Sequence, residues 1–468
     1  MRTLTRMLQA AVHGQPTRKT DRKMIILKDR KSYAACIQQL KKQGIVPLKQ
    51  VKSARMLCCH LDRHKDLQQI MNHPSIRRIE TDARVRAHAI KPAKGTKRSS
   101  STSSRLRLKK RNHSTLYATT SQIPWGIKRI HAPRVWPKTK GKGIKVAIVD
   151  TGISTHPDLN IAGGINTIRR GMPHQDDNGH GTHVAGTVAA TGTGNMLYGA
   201  APEVDLYAVK ALDENGDGYV SDIVEGIEWC IKNKMDVINL SLGLNGPSDL
   251  LRSTVRRAYR KGIVLVASAG NEGGDADMID VPASYPETIA VTATDKNNQI
   301  AVFSSRGKGI DVAAPGEDIV STNNKNSFSK DSGTSMAAPH VSGTVALMLA
   351  SNPELTPQDV KSILIDTASE LKGYSDRSQG AGLVRADKAT ACAMDSLKSS
   401  FPLTGISAVS GPIKKALARR TATSRSPACR PNKSEAQAAA ASRQRTKKAG
   451  RGTAQSSKLH NVVKPRRS

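Results

Sequence analysis

The sequence predicts an α/β protein, with a three-layer α/β/α domain and a mainly parallel sheet over residues 122–396, preceded by a small α+β domain. Three observations favour this fold class. Short β-branched runs alternate with helical stretches between residues 144 and 367. The strand runs are continuously apolar, as in parallel sheets that are covered on both faces. The flanking segments differ from this region in charge, so composition indicates where the domain begins and ends.

Strand and helix patterns follow one another in order within residues 122–396. Each predicted strand is bounded by Gly, Asn or Asp, and each predicted helix has apolar or small residues at helical spacing. The expected strands are 144–149, 206–209, 236–240, 263–267 and 288–293, and the expected helices are 181–190, 220–232, 249–261, 335–350 and 357–367. Parallel strands joined by right-handed crossovers place functional residues at the carboxyl ends of the strands.

The remainder of the chain divides by composition into four segments. Residues 1–22 form a basic N-terminal leader, and residues 23–89 combine a strand-like run with amphipathic stretches into the small α+β domain. Residues 90–121 are rich in Ser, Lys and Arg and read as a solvated linker. Residues 397–468 repeat that composition, and we expect a basic, low-complexity, disordered tail.

The basic charge of the chain belongs to its flanks. The net charge is +35, but residues 1–120 carry 29 basic and 6 acidic side chains, residues 401–468 carry 16 and 1, and residues 121–400 carry 28 and 31. Such flanks favour anionic partners. They lack the aromatic side chains that stack on bases, since Phe401 is the only aromatic residue in 401–468. Nucleic acid is therefore not required, although a catalytically silent scaffold that binds anionic polymers or a membrane surface is an alternative.

The sequence shows no signal for membrane insertion or for export. It has no run of 18 apolar residues, so no transmembrane helix is expected. The first 20 residues lack the apolar stretch of a secretory signal peptide.

Four polar residues stand at strand ends or helix starts of the predicted α/β domain. Asp150 ends the first strand, His180 opens a helix, Asn271 follows the strand 263–267, and Ser335 opens another helix. Each alone has an ordinary structural interpretation, as a turn residue, a packing histidine, a loop former or a helix cap. Together they supply a nucleophile, a base, an orienting carboxylate and an oxyanion donor. His183, one turn further along, is interpreted as a packing histidine.

The motifs around these residues resemble those of the subtilisin-like serine proteases, or subtilases. The matching blocks are Val146-Ala-Ile-Val-Asp150-Thr-Gly152, His180-Gly-Thr-His-Val-Ala-Gly186, Ser268-Ala-Gly-Asn271-Glu-Gly273 and Gly333-Thr-Ser335-Met-Ala-Ala-Pro-His340. The resemblance extends over residues 122–396. It implies a serine endopeptidase with Asp150, His180 and Ser335 as the catalytic triad, Asn271 in the oxyanion hole and no cofactor for the chemistry.

The resemblance also implies that the enzyme is made as a zymogen. Residues 23–89 resemble the inhibitor-type (I9-like) propeptide of this family and end in Ile79-Glu80-Thr81-Asp82. The propeptide would then be an intramolecular inhibitor. The competing interpretation is an unrelated basic docking module. The linker carries several basic residues at 105–111, which predicts maturation after one of them.

Substrate residues follow from the same resemblance. In subtilases the substrate backbone runs between two segments, which correspond here to Ser241-Leu242-Gly243 and to the segment after Asn271. Alignment places Asp280 at the base of the S1 pocket, and a carboxylate there predicts a preference for Lys or Arg at P1. Val220 and Ile223 predict an apolar S4 pocket. The alternative for Asp280 is a surface turn in which its side chain faces solvent.

A structural calcium ion is a further expectation from the family. Asp158 matches a family calcium ligand, whereas residues 191–195 match the family's calcium loop only loosely, and calcium prefers six to eight oxygen ligands. The expected partners are protein or peptide substrates, and a monomer is expected. The family resemblance points to an extracellular protein, while the absence of a signal points to the cytoplasm.

Overall fold

The computed structural model describes residues 2–13, 15–65, 67–88, 123–193, 196–275 and 277–400. The predicted linker and nearly all of the predicted tail lie outside the described residues. The helices are α1 (Arg2–Ala11), α2 (Arg30–Lys42), α3 (Gln68–Met71), α4 (Trp125–Arg129), α5 (His180–Ala189), α6 (Val220–Lys232), α7 (Asp249–Tyr259), α8 (Thr334–Ser351), α9 (Pro357–Thr367), α10 (Asp376–Gln379) and α11 (Ala386–Ser400). No helix among these residues is both long and apolar enough to cross a membrane.

Within the described residues, the strands form four sheets, of five, three, seven and two strands. They are β1 (Val12–His13), β2 (Thr20–Leu27), β3 (Lys49–Val51), β4 (Met56–Asp62), β5 (Ile76–Thr81), β6 (Arg84–Ala87), β7 (Lys145–Asp150), β8 (Ile161–Asn166), β9 (Asp205–Lys210), β10 (Asp217–Tyr219), β11 (Val237–Leu240), β12 (Leu242–Gly243), β13 (Val264–Ser268), β14 (Thr288–Thr294), β15 (Val312–Pro315), β16 (Ile319–Thr322) and β17 (Phe328–Asp331).

The predicted α/β/α domain is confirmed. Its seven-stranded sheet has the order β15-β14-β13-β11-β7-β9-β8, and all neighbours in it are parallel. The five predicted strands form its centre, because their continuous apolar runs are buried on both faces. Helices α5 and α8 pack together and contact the sheet, while α6 and α7 form a second packed pair against it.

The edges of the large sheet were not predicted. Strand β8 contains two glycines, and its one buried residue is the polar Asn166, so it lacks the apolar run that marks a central strand. Strand β15 is alanine-rich and short, and β16 and β17 form a separate two-stranded antiparallel sheet. Strands β8 and β15 are defined by pairing with distant segments rather than by local pattern.

The small α+β domain has its own apolar core. Strands β1, β4, β2 and β5 form an antiparallel sheet, with β3 paired to β4. Buried side chains from the sheet and from α2 meet in one cluster, which includes Ile25, Leu40 and Leu57. The separate leader expected over residues 1–22 is wrong, because Leu4 and Leu8 on α1 are buried in this same cluster. Basic composition had obscured an amphipathic helix.

Candidate active site

Asp150 and His180 meet at the carboxyl end of the central strand β7. Asp150 is the last residue of β7, and His180 is the first residue of α5. The His180 Nδ1 atom lies 2.7 Å from Asp150 Oδ1, and both side chains are buried. Gly181 allows this approach, because a Cβ atom there would collide with the Gly152 carbonyl oxygen. The pairing predicted from the sequence is therefore present as a buried, charge-assisted hydrogen bond.

The electrostatic environment of His180 favours its protonated form. Burial by itself would lower the pKa of His180, but the Asp150 carboxylate raises it above its ordinary value, helped by Asp176 and Asp331. An imidazole held between a carboxylate and a reacting group is suited to accept a proton and return it.

Asp176 is a positioning residue that the sequence reasoning missed. Its Oδ1 atom accepts hydrogen bonds from Thr151 Oγ1 at 2.8 Å and from the Asn178 and Gly179 amides. Its Oδ2 atom accepts from the amide and the hydroxyl of Thr182. Asp176 is buried, and it joins the turn after β7 to the first turn of α5. The acidic residue two positions before the Asn-Gly turn was the available signal, since Asp favours such turns.

Lys210, on the neighbouring strand β9, holds the turn that follows β7. This lysine ends β9 and is almost fully buried. Its ammonium group donates to the Thr151 and Leu212 carbonyl oxygens at 2.7 and 3.1 Å and pairs with Asp177 at 2.6 Å. No local motif identifies it, because its partners come from distant segments.

Ser335 lies at the amino end of α8, as predicted. The helix begins at Thr334, and Ser335 is buried. Its hydroxyl donates to the Ser241 carbonyl oxygen at 2.9 Å, and His180 Nε2 has no hydrogen-bond partner among the described residues. The structure therefore brings Ser335 into the site without forming the hydrogen bond to His180. Such bonds are often formed only in the reacting complex.

Thr334 fixes the orientation of the Asn271 side chain. The side-chain oxygen of Asn271 accepts hydrogen bonds from the Thr334 amide at 3.0 Å and the Thr334 hydroxyl at 2.9 Å. These bonds turn its Nδ2 group outwards, and Nδ2 donates to the main-chain oxygen of His88 at 2.7 Å. Gly333 lies so close to this oxygen that a Cβ atom would collide with it. The amide predicted to be an oxyanion donor thus contacts the carbonyl group of His88.

The chain segment that ends in His88 lies in the site like a substrate. Strand β6 leaves the small domain and pairs antiparallel with β10 on one side and β12 on the other. The His88 amide donates to the Ser241 carbonyl oxygen at 3.3 Å. Ser241, Leu242 and Gly243, which are predicted to contact the substrate backbone, lie against residues 86–88. The strand on the other side of β6 is β10 and not the segment after Asn271.

The side chain of His88 occupies a pocket that contains Asp280. His88 Nε2 lies 2.8 Å from Asp280 Oδ2, and His88 Nδ1 lies 2.7 Å from Ser268 Oγ. The Asp280 side chain is 12% exposed, so it does not lie in a solvent-facing turn. Three residues before His88, Val85 is fully buried in a cluster with Val220 and Ile223. Val220 and Ile223, predicted to form an apolar S4 pocket, thus belong to the same large buried cluster as Val85.

Two acidic residues of the small domain bind helix starts of the large domain. Asp82 Oδ1 accepts from the Ser221 amide at 2.8 Å, at the start of α6. Glu80 Oε2 accepts from the Leu250 amide at 3.2 Å, at the start of α7. Carboxylates are favourable at these ends because the first amide groups of a helix lack partners and the helix dipole is positive there. The acidic motif at residues 79–82 is thus an interdomain contact.

An open cavity of about 610 Å³ borders His180 and residues 86–87 of β6. His180, Asp331 and Asn324 contribute to its walls. His183 does not face this space. It is fully buried, and its Nε2 atom donates to the Ile319 carbonyl oxygen at 3.0 Å, as a packing histidine does.

Asp158, the expected calcium ligand, has protein partners in this structure, and residues 194 and 195 of the accompanying loop lie outside the described residues. Its Oδ1 atom accepts from the Thr191 hydroxyl at 3.0 Å and the Thr193 amide at 3.2 Å, and its Oδ2 atom accepts from the Leu197 amide at 3.0 Å. Both oxygens of Asp158 therefore accept hydrogen bonds from protein donors. Within the described part of the chain, no three His, Cys, Asp or Glu residues are grouped to hold a metal ion.

Comparisons with known proteins agree with this geometry. Residues 141–382 match the model of the subtilase family. The chain is 46% identical over 269 residues to Subtilisin Savinase of Lederbergia lenta, covering 57% of this chain and 98% of that protein. It is 46% identical to an alkaline protease of Alkalihalobacillus alcalophilus, with 57% and 70% covered, and 47% identical to Subtilisin E of Bacillus subtilis (strain 168), with 53% and 67% covered. The chain belongs to the subtilase family and is a subtilisin-like serine endopeptidase.

Proposed function

We propose that this endopeptidase is a self-processing zymogen that uses Asp150, His180 and Ser335 and makes its first cut between His88 and Ala89. The observation that carries the proposal is the hydrogen bond from Asn271 Nδ2 to the His88 carbonyl oxygen. It supports a carbonyl group held in an oxyanion hole beside the nucleophile. The basic sites at 105–111, which lie outside the described residues, would then be secondary, because His88 lies in the site.

The reaction needs only groups of this chain and water. Rotation of the Ser335 side chain away from the Ser241 carbonyl lets its oxygen attack the His88 carbonyl carbon, while His180 Nε2 takes the hydroxyl proton. Asn271 and the Ser335 amide stabilise the oxyanion, and His180 returns the proton to the departing amine of Ala89. Water then hydrolyses the ester by the same proton transfers. The products are a free carboxylate on His88 and a regenerated Ser335.

Residues 2–88 would remain as an intramolecular inhibitor after this cut. Strand β6 fills the substrate position, and Glu80 and Asp82 hold the starts of α7 and α6. These contacts do not depend on the bond between His88 and Ala89. Activity would therefore appear only once the propeptide is degraded or released.

The carboxylate of Asp280 supports a preference at P1 for side chains that donate hydrogen bonds. Lys and Arg are the residues that the sequence predicts, because both can pair with a half-buried carboxylate and an apolar side chain cannot. The alternative of a silent scaffold gains no support, since the relatives reported above are named as proteases.

A serine-directed phosphonate tests the proposal in the purified mature enzyme. We expect one adduct on Ser335, and we expect Ser335→Ala to lower kcat on a peptide substrate by a factor of about 10⁶. Ser362→Ala on α9 is the matched control and should retain full activity. Labelling at another residue, or normal peptide hydrolysis by pure Ser335→Ala protein, would refute the assignment.

A further inference from the structure

The pocket around His88 makes hydrogen bonds to both ring nitrogens of its occupant. Asp280 Oδ2 faces Nε2 and Ser268 Oγ faces Nδ1, at 2.8 and 2.7 Å. The His88 side chain is 5% exposed. A Lys or Arg side chain has no acceptor or donor at the place of Nδ1, so only imidazole matches both groups among the common side chains.

The walls of the pocket fit a flat ring of this size. A Cβ atom on Gly243 would collide with the imidazole ring and with the Asp280 carboxylate, so the ring lies directly against the backbone there. The backbone opposite is fixed, because the Leu244 and Val281 amide and carbonyl groups bond to each other at 3.0 and 3.2 Å. Lys and Arg side chains extend well beyond the distal nitrogen of histidine and would have to fold back to keep the Asp280 contact.

Ser268 allows the pocket to hold imidazole in either protonation state. Its hydroxyl can donate to an unprotonated Nδ1 while Nε2–H donates to Asp280. It can also accept from a protonated Nδ1, because its own proton then has an acceptor in the Leu240 carbonyl oxygen at 3.4 Å. Both arrangements leave every polar group with a partner, as a buried site requires.

From this geometry we infer that the S1 pocket selects histidine at P1, with Asp280 and Ser268 as the two specificity-determining residues. The inference rests on the proposed function, and it narrows the substrate class from basic residues in general to peptides with histidine before the scissile bond. The segment that ends in His88 is then a preferred substrate before cleavage. After cleavage it is a product whose His88 side chain fits the S1 pocket.

The test uses mature enzyme and quenched fluorescent peptides with the propeptide sequence Val-Arg-Ala before P1 and Ala-Ile after it. The P1 residue is His, Lys, Arg, Gln or Phe. We expect kcat/KM for His to exceed that for Lys, Arg, Gln and Phe by about tenfold or more, the factor that one hydrogen bond to a charged group confers. Two further peptides carry Nε2-methylhistidine, which cannot donate to Asp280, and Nδ1-methylhistidine, which blocks the Ser268 contact. Both methylhistidine peptides should be cleaved more slowly than the peptide with unmodified histidine at P1.

Enzyme variants assign the effect to each pocket residue. Asp280→Asn should reduce the His to Phe ratio by about tenfold. Ser268→Ala should remove the penalty of the Nδ1-methyl group, since it makes room for the methyl, while the Nε2-methyl penalty stays. Asp366→Asn, an exposed position on α9, is the control and should change neither ratio.

The outcomes separate this inference from the proposed function. If wild type cleaves the peptides but prefers Phe, Lys or Arg to His, the inference is wrong and the protease assignment stands. If wild type cleaves none of them and no phosphonate adduct forms on Ser335, the proposed function itself fails. The comparison of P1 residues needs only wild-type enzyme. It therefore decides the question even if Asp280→Asn or Ser268→Ala does not fold.

Discussion

Lys49 is the side chain of the small domain whose removal should weaken the proposed inhibition most clearly. It lies on β3, and its ammonium group pairs with Asp222 and Glu225 of α6 and donates to the Thr167 carbonyl oxygen. The side chains of Lys49, Asp222 and Glu225 are 6%, 4% and 12% exposed. Lys49→Met keeps the length of the side chain and leaves the two carboxylates buried without this cation.

The expected magnitude follows from the burial and from the remaining partners. Removing one member of a buried ion pair costs about 3–5 kcal/mol. Glu225 keeps Arg170 of its own domain at 2.7 Å, and Asp222 keeps the Tyr219 amide at 3.0 Å, so the lower half of the range is expected. At about 1.4 kcal/mol per factor of ten, 3 kcal/mol raises the inhibition constant by a factor of about 150.

The assay measures inhibition of the mature enzyme by a separate polypeptide of residues 1–88. The polypeptide includes α1 because Leu4 and Leu8 belong to its core. Lys52→Met, at an exposed position beside β3, is the matched control and should inhibit like wild type. Asp222→Asn in the enzyme should recover part of the loss caused by Lys49→Met, because it removes the unpaired charge.

The pH dependence gives a second readout of the same contact. Burial raises the pKa of Asp222 in the assembled protein, while Lys49 acts in the opposite direction. Without Lys49 the pKa of Asp222 rises further, so the complex binds a proton more tightly than the free enzyme does. The Lys49→Met deficit should therefore be largest near neutral pH and shrink as the pH falls towards the ordinary carboxyl pKa of about 4. An inhibition constant equal to that of Lys52→Met would refute the reasoning.

Three further predictions concern the catalytic domain. Asn271→Ala should lower kcat by a factor of about 10² to 10³ with little change in KM, measured on a peptide substrate, because the donor acts on the transition state. A chelator or added calcium should leave the melting temperature of the protein unchanged. Asp158→Asn should lower the free energy of unfolding by about 1–3 kcal/mol, because three protein donors face the Asp158 carboxylate. Asp331→Asn should move the acid limb of the kcat/KM profile to lower pH, since Asp331 is one of the charges that raise the pKa of His180. An unchanged or upward-shifted limb would contradict that electrostatic role.

The motifs of the catalytic domain could be predicted because their chemistry is local. Asp150, His180 and Ser335 each lie at a strand end or helix start that adjacent residues define. Asp280 needed only a short backward alignment from the Val281–Pro282 step. In each case the backbone that positions the side chain is encoded within a few residues of it.

The remaining features depend on contacts between distant segments. Lys210 and Asp176 bind groups that meet only when the sheet has formed. The insertion of His88 into the pocket depends on the length of chain between the small domain and the site. The amphipathic pattern of α1 was hidden by its basic residues. The hydrogen bonds that Asp158 accepts come from a loop that matches the family's calcium loop only loosely.

The most direct test of self-processing is the N-terminal sequence and intact mass of the purified full-length chain, compared between wild type and Ser335→Ala. The account predicts that folded wild-type protein gives a new N-terminus at Ala89, while Ser335→Ala stays uncut. Cleavage of Ser335→Ala at the same bond and rate, or a folded wild type whose first cut lies at another bond, would contradict it.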